Sequence, residues 1–305
     1  MFEKAFMLAG SITLLISSNS DVNFEEENKI VLQAYLPELI ELEQLPEEPD
    51  LRIIHLEKEG FSLEQSDSQV TIKEKWRNKL SPDLPHLMYG MARRHWIHHG
   101  LFSIHSACVG NEKEGFVLLV GQAGSGKTST ALECVRRYGL EIYSGDKTLI
   151  EVDENATLWA IGGTKVLTSR APEKGRWREM VDEAVQVGAR YAFRLRSEYY
   201  PDAKRVRIKA VVLLSLNDGH DSSNEYSSLS AIHNLYPFFL DTQKEDVLLD
   251  EGNEIFFGTI RPEVKQKNVP RLARGIKKIR TINVVGSMDY VTEQIADLFK
   301  ERVSS

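Results

Sequence analysis

Eight residues, Gly121-Gln122-Ala123-Gly124-Ser125-Gly126-Lys127-Thr128, constrain this chain more than any other stretch. They fit the Walker A pattern G-x-x-x-x-G-K-[S/T]. They follow a continuous apolar run, Phe116-Val117-Leu118-Leu119-Val120, and open a segment of helical character that stops at Gly139. An apolar run of that kind reads as a strand buried on both faces. A glycine-rich turn between such a strand and a helix aims successive backbone N–H groups and the positive end of the helix at one spot, which suits a phosphate. Lys127 is placed to reach the β- and γ-phosphates and Thr128 to bind Mg2+, with Gly121, Gly124, Ser125, Gly126 and Ser129 completing the predicted cradle. The expected ligand is a nucleoside triphosphate.

The chain has 305 residues, 42% hydrophobic and 27% charged, enough for two ordinary domains or one with a large extension. No apolar stretch approaches the roughly 20 residues of a membrane helix. The best one, residues 6–17, is broken by Gly10, Ser11 and Thr13 and reads as a strand rather than a signal peptide. Cys108 and Cys134 build neither a disulfide framework nor a zinc site. The expectation is a cytoplasmic enzyme of bacterial or archaeal style, with secreted, zinc-finger and membrane proteins excluded. A net charge of −7 argues against general nucleic-acid binding. The charge is uneven, however: residues 21–67 hold about fourteen acids against three bases, whereas residues 261–280 hold eight bases against one acid. Residues 165–209 are also basic. These segments are either solvated faces or the surroundings of a polyanionic ligand such as a nucleotide.

Short strands over 6–17, 29–35, 50–55 and 69–72, separated by acidic turns and the Pro46-Glu47-Glu48-Pro49 break, predict a small β-rich N-terminal domain over residues 1–85. Pro82 and Pro85 close it, and a helix over 87–96 ends by Gly100. Residues 86–305 then read as an α/β domain. Its strands lie at 102–108, 116–120, 140–143, 149–152, 158–161, 206–216 and 279–285, its helices at 127–138 and 289–302, and a polar loop at 217–226. Residues 190–207 alternate arginine with Tyr191, Phe193, Tyr199 and Tyr200, and predict an amphipathic helix over the core rather than a base-stacking surface. Residues 261–280, with Pro262, Pro270 and Gly275, predict a mobile loop and a short basic helix that closes over the phosphates or meets a partner.

A carboxylate should complement Thr128 at the metal, and Asp146, Asp218 and Asp241 compete for that role. The strand before Asp218 is the most apolar, yet Asn217-Asp218-Gly219 is also a good turn sequence. His95, His98 and His99 can place two imidazoles on one helix face, but no carboxylate or cysteine sits at ligand spacing.

Ile104-His105-Ser106-Ala107, the strand 116–120, the glycine-rich loop, its helix and Ser144-Gly145-Asp146 together resemble the catalytic core of the HPr kinase/phosphorylase family and its smaller kinase relatives. That superfamily shares its P-loop architecture with phosphoenolpyruvate carboxykinase. The resemblance covers about residues 101–150 and extends more loosely through 206–216 to the C-terminus. The N-terminal region, with Pro49-Asp50-Leu51-Arg52-Ile53, is similar to the small-molecule and peptide kinases of the group rather than to HPr kinase proper. The resemblance implies a P-loop kinase core of HPr kinase type beside a small β-rich N-terminal domain, with ATP and Mg2+ as ligands. It implies catalytic roles for Lys127, Asp146 and His105: Asp146 matches the metal-side member of an Asp-Asp pair, with Thr128 as the other metal ligand. His105 matches a histidine that contacts that aspartate and the phosphate region. The other Asp of the pair, which resembles a general base for the accepting hydroxyl, falls on Gly145. Lys165 and Arg170 occupy the interval of an arginine-containing signature, without its glutamate, and are candidates for binding substrate or the transferring phosphate.

No Asn/Thr-Lys-x-Asp guanine motif or Leu-Ser-Gly-Gly transporter signature follows the loop, and the remaining chain is too short for a helicase. The leading expectation is an ATP- and Mg2+-dependent kinase that phosphorylates a hydroxyl of a small molecule or of a peptide or protein serine. The alternative is a nucleotide-binding regulatory protein with weak or no phosphotransfer, Gly145 marking a lost base. The N-terminal domain could deliver a peptide or protein substrate or serve oligomerisation, and the parent family's ring-like oligomers imply a homo-oligomer as one option.

Overall fold

After Leu8 the backbone turns through Gly10 and Ser11, both in the left-handed region (φ 76° and 59°). The apolar run expected as one strand therefore folds back into a hairpin of β1 (Phe2–Leu8) and β2 (Ile12–Ser18). The structure is a computed structural model that describes residues 1–20, 26–74, 83–169, 177–187, 190–240, 246–248, 254–256 and 260–300. Pro82, Arg170, Asp241 and Arg302 lie outside these residues.

Residues expected as a strand at 29–35 belong instead to helix α1 (Glu26–Tyr35). The spacing explains the difference. Ile30 and Ala34, four apart, pack with Val166 and Ala192, while Leu32 and Leu36, also four apart, enter the N-terminal core. A strand would have put Ile30, Leu32 and Ala34 on one face. β3 (Ile40–Leu42), β4 (Leu51–Glu57), β5 (Ser62–Gln65) and β6 (Gln69–Glu74) complete a six-stranded sheet ordered β3-β1-β2-β4-β6-β5. Helix α2 (Asp83–His98) lays Leu87, Met88, Met91 and Trp96 on the same core as Phe6, Leu14 and Ile53, each such side chain contributing about 1.5–3 kcal/mol by burial. The Trp96 indole N–H donates to the Ala9 carbonyl at 2.9 Å, and Gly100 (φ 74°) ends the helical segment.

The chain continues through β7 (Leu101–Asn111), β8 (Gly115–Val120), α3 (Lys127–Tyr138), β9 (Glu141–Ser144), β10 (Lys147–Val152), β11 (Leu158–Gly163), β12 (Val166–Ser169), β13 (Val181–Val187), β14 (Arg190–Leu195) and β15 (Val206–Leu216). Then come β16 (Ser222–Glu225), α4 (Ser228–Leu240), β17 (Asp246–Leu248), β18 (Glu254–Phe256), α5 (Pro262–Lys278), β19 (Arg280–Gly286) and α6 (Met288–Ala296). The central sheet is ordered β11-β10-β7-β8-β15-β19-β16, with β9 on β7, and its β8, β15 and β19 are parallel. β11 also touches β15, through Trp159↔Arg207 and Ala160↔Val206, so five strands close into a small barrel. Alternate residues of β8 face opposite cores: Val117 and Leu119 meet residues of α3 and α6, and Leu118 and Val120 meet residues of α4 and α5. The whole is a mixed α/β fold. Among the described residues no helix is long and apolar enough to cross a membrane.

Three further segments differ from expectation. Residues 190–207 form strand β14, a 3-10 turn at Ser197–Tyr199 and the start of β15 rather than a helix. β14 buries both faces, Phe193 and Leu195 toward the central core and Ala192 toward α1, which favours period two over period 3.6. Residues 262–278 are one continuous helix. Pro262 sits in the first turn, where no intrahelical N–H bond is needed, and Gly275 lets the helix approach Leu158. Its C-terminal end lies away from the glycine-rich loop: Arg280 pairs level with Ala210 and hence with Val117, whereas the loop leaves β8 after Val120. Within the predicted loop 217–226, Ser222–Glu225 pairs along the edge of β19.

Candidate functional site

The loop between β8 and α3 is built around its glycines. Gly124 and Gly126 take φ of 81° and 97°, and a Cβ on Gly121 would lie 2.5 Å from Ser125 Oγ and 2.6 Å from the Leu214 carbonyl. The Leu216 N–H donates to the Ser125 carbonyl at 3.0 Å, tying the loop to the end of β15. Ser125 Oγ is buried without a hydrogen-bond partner among the described residues. Lys127 is nearly buried, and its ammonium donates to the carbonyls of Gly121 (2.8 Å) and Gln122 (3.0 Å). Burial, aided by the Lys147 charge, pushes its pKa down, and the Asp146 carboxylate offsets part of that effect. The Thr128 hydroxyl lies 3.4 Å from the Gly145 carbonyl, which brings the loop against the β9–β10 turn; Ser129 is half-buried in the same first turn of α3.

That turn presents Asp146. His105 on β7 places Nε2 2.9 Å from Asp146 Oδ1, and Lys147, whose backbone pairs opposite His105, holds its ammonium 3.7 Å from Oδ2. The Lys147 ammonium also lies 5.1 Å from the centre of the Tyr89 ring. Burial alone would raise the Asp146 carboxyl. The hydrogen bond from His105 and the charges of Lys147 and Lys127 outweigh it and hold the group at about 2. A carboxylate held so low stays ionised at neutral pH and suits a cation better than proton abstraction.

Two residues that sequence reasoning did not assign shape this turn. The buried Thr164 hydroxyl accepts the backbone N–H groups of both Asp146 and Lys147 at 3.0 Å, and its carbonyl accepts Gly145 N–H at 3.0 Å. Leu167 fills the space beside Gly145, where a Cβ would come within 2.6 Å of its Cγ. Gly162-Gly163-Thr164 marks this segment in the sequence, but nothing there shows that the hydroxyl points back to residue 146.

The other predicted residues fall outside this cluster. Asp218 is exposed in a turn whose Gly219 N–H is held by Asn217 Oδ1 at 2.9 Å. The Lys165 ammonium donates to the Tyr143 carbonyl at 2.7 Å and sits 4.4 and 5.5 Å from the Tyr143 and Tyr200 ring centres. Burial lowers its pKa, partly countered by Glu38. His95 and His99 stack with ring centres 4.2 Å apart. Among the described residues no group of three His, Cys, Asp or Glu side chains could hold a metal. A metal at Thr128 and Asp146 would therefore share its coordination with ligand oxygens, as Mg2+ commonly does.

In comparisons with known proteins, no protein-family model and no curated protein matches the chain.

Proposed function

We propose that this protein is an ATP- and Mg2+-dependent kinase of the HPr kinase-like type, acting in the cytoplasm on a hydroxyl of a small molecule or of a peptide or protein serine. The observation that carries the reading is the 2.9 Å pair of His105 with an Asp146 carboxylate held at about 2, set beside Lys127 and Thr128 at the mouth of the glycine-rich loop. The unpartnered Ser125 hydroxyl and the absence of room for a side chain at Gly121 fit a P-loop that receives a triphosphate.

In this reading the backbone N–H groups of Gly124, Gly126, Lys127 and Thr128 bind phosphate oxygens, that of Ser125 being donated to the Gln122 carbonyl at 3.0 Å, and Lys127 exchanges its two loop carbonyls for the β- and γ-phosphates. Thr128 and Asp146 would hold Mg2+, which neutralises phosphate charge when bound. Thr164 fixes the Asp146 backbone, and His105 fixes its carboxylate. No carboxylate stands at position 145, and a loose phosphoryl-transfer transition state depends chiefly on positioning and charge neutralisation.

The packing of Leu167 against Gly145 favours a second reading, a nucleotide-binding regulatory protein of the same fold with weak or no phosphotransfer. Incubation with γ-labelled ATP, Mg2+ and pooled metabolites and peptides separates the two, with Lys127→Ala as control. Label on an acceptor with the unaltered protein alone supports the kinase. Binding of ATP without transfer to any pool supports the regulatory reading, and failure to bind ATP at all overturns both.

A further inference from the structure

We infer that the chain carries a second anion site, for a small organic phosphate, at the end of the central strands opposite the glycine-rich loop. β11 and β15 pair only at Trp159↔Arg207 and Ala160↔Val206 and then part, while the register of β15 on β8 shifts between Ile208 and Ala210. Where the two strands diverge, a cavity of about 410 Å³ opens between Leu158 and Ile208. Gly275 and Lys278, from the end of α5, line its other side. Ala210, next to this wall, is level with Arg280 at the start of β19, whereas the glycine-rich loop leaves β8 after Val120 at the far end. The cavity is thus separate from the site around Asp146, and the inference stands whether or not the loop binds ATP.

The chemistry of the wall selects the ligand. Arg207, Lys209 and Lys278 line it, and no carboxylate does. Arg207 donates to the Glu114 carbonyl at 3.4 Å and Lys278 to the Asn155 carbonyl at 2.7 Å, both uncharged acceptors. Among the described residues neither forms an ion pair; only Lys209 does, with Glu114 at 3.4 Å. Asp153, at the base of the adjoining turn, is already engaged: its carboxylate accepts Thr157 N–H at 2.8 Å and the Trp159 indole N–H at 2.9 Å. Those bonds brace a turn in which Ala156, another wall residue, is held at φ 60°, a conformation that non-glycine residues seldom adopt. Cations in a last helical turn ordinarily answer the helix dipole, and Lys278 alone would need no other explanation. Arg207 and Lys209 come from a different element and line the same concavity, although the Lys209 ammonium itself rests between Glu114 and the Phe299 ring, 4.7 Å from its centre. The cavity volume falls in the range of metabolite pockets, about 300–1,000 Å³. The partly exposed Ile279, with Leu158 and Ile208 buried behind it, offers an apolar contact to a carbon skeleton, which favours a phosphate ester over bare phosphate.

The test uses phenyl phosphate as probe and the intact chain. Lysine acetylation is followed by peptide mass spectrometry, with and without millimolar probe, so that the Lys278 and Lys209 peptides are read separately from Lys127. The expected result is severalfold slower acetylation of Lys278 and Lys209, retained in Lys127→Ala and lost in Arg207→Ala. Arg207 is exposed, so that variant should fold; Lys278→Met, read at Lys209, provides a second check. Unchanged labelling of Lys278 and Lys209 at millimolar probe, or equal slowing in Arg207→Ala, overturns the inference.

Discussion

Leu167 occupies the volume that any side chain at position 145 would have to enter, its Cγ only 2.6 Å from a Cβ built on Gly145. Gly145 is not in the left-handed region, so space and not backbone freedom excludes other residues. Gly145→Ala should cost about 1–3 kcal/mol by overpacking, and Gly145→Asp more. Leu167→Ala alone should cost about 2–5 kcal/mol. Because one substitution makes the room the other needs, Gly145→Asp/Leu167→Ala should lose less than the sum of the two. Urea unfolding of the four proteins checks this, and strict additivity would count against the contact.

Lys127→Ala separates nucleotide binding from stability. Without nucleotide it removes two hydrogen bonds to loop carbonyls, a loss of about 1 kcal/mol each. With ATP and Mg2+ the thermal shift of the unaltered protein should disappear, and any phosphotransfer should fall at least about 10²-fold. A ligand-induced shift that survives the substitution would remove the lysine from the site.

Thr164→Val keeps the shape of a buried side chain but leaves the N–H groups of Asp146 and Lys147 without their shared acceptor. Leaving a buried donor unsatisfied costs about 1–3 kcal/mol, and the carboxylate should lose its position as well. Thr164→Ser restores the oxygen and should recover most of both properties. Parallel measurement of unfolding and transfer distinguishes this from simple loss of packing, which serine would not repair.

Asp146 links stability to acid. Its carboxyl falls from an ordinary 3.8 to about 2 in the folded chain, so the unfolded state binds its proton first as pH drops. The stabilisation is complete above about pH 4 and is lost between roughly 4 and 2, amounting to about 2 kcal/mol. Asp146→Asn should flatten that part of the urea-unfolding profile between pH 5 and pH 2. An unchanged slope would mean that His105 and Lys147 do not hold the carboxylate down.

Much of the central sheet was legible because its signals are local. The apolar run 116–120, the glycine-rich loop and the stop at Gly139 each specify their structure within a few residues, and β15 lies at the predicted 206–216. Glycines and turns likewise put Asp146 at a strand end. What sequence reading missed depends on partners far along the chain. α1 reads as a strand until Val166 and Ala192 are known to meet Ile30 and Ala34. Residues 190–195 read as a helix until both faces prove buried. Thr164 and Leu167 act on Gly145 and Asp146 through space alone, and no spacing rule connects them.

The packing of α1 also bears on how the chain is made. Ile30 and Ala34 emerge from the ribosome early, but Val166 lies about 136 residues later in the sequence. At synthesis rates of about 5–20 residues per second, that face of the helix waits on the order of ten seconds for its first partner. Throughout that interval a nascent chain exposes an apolar stripe, which makes it a natural client for a chaperone.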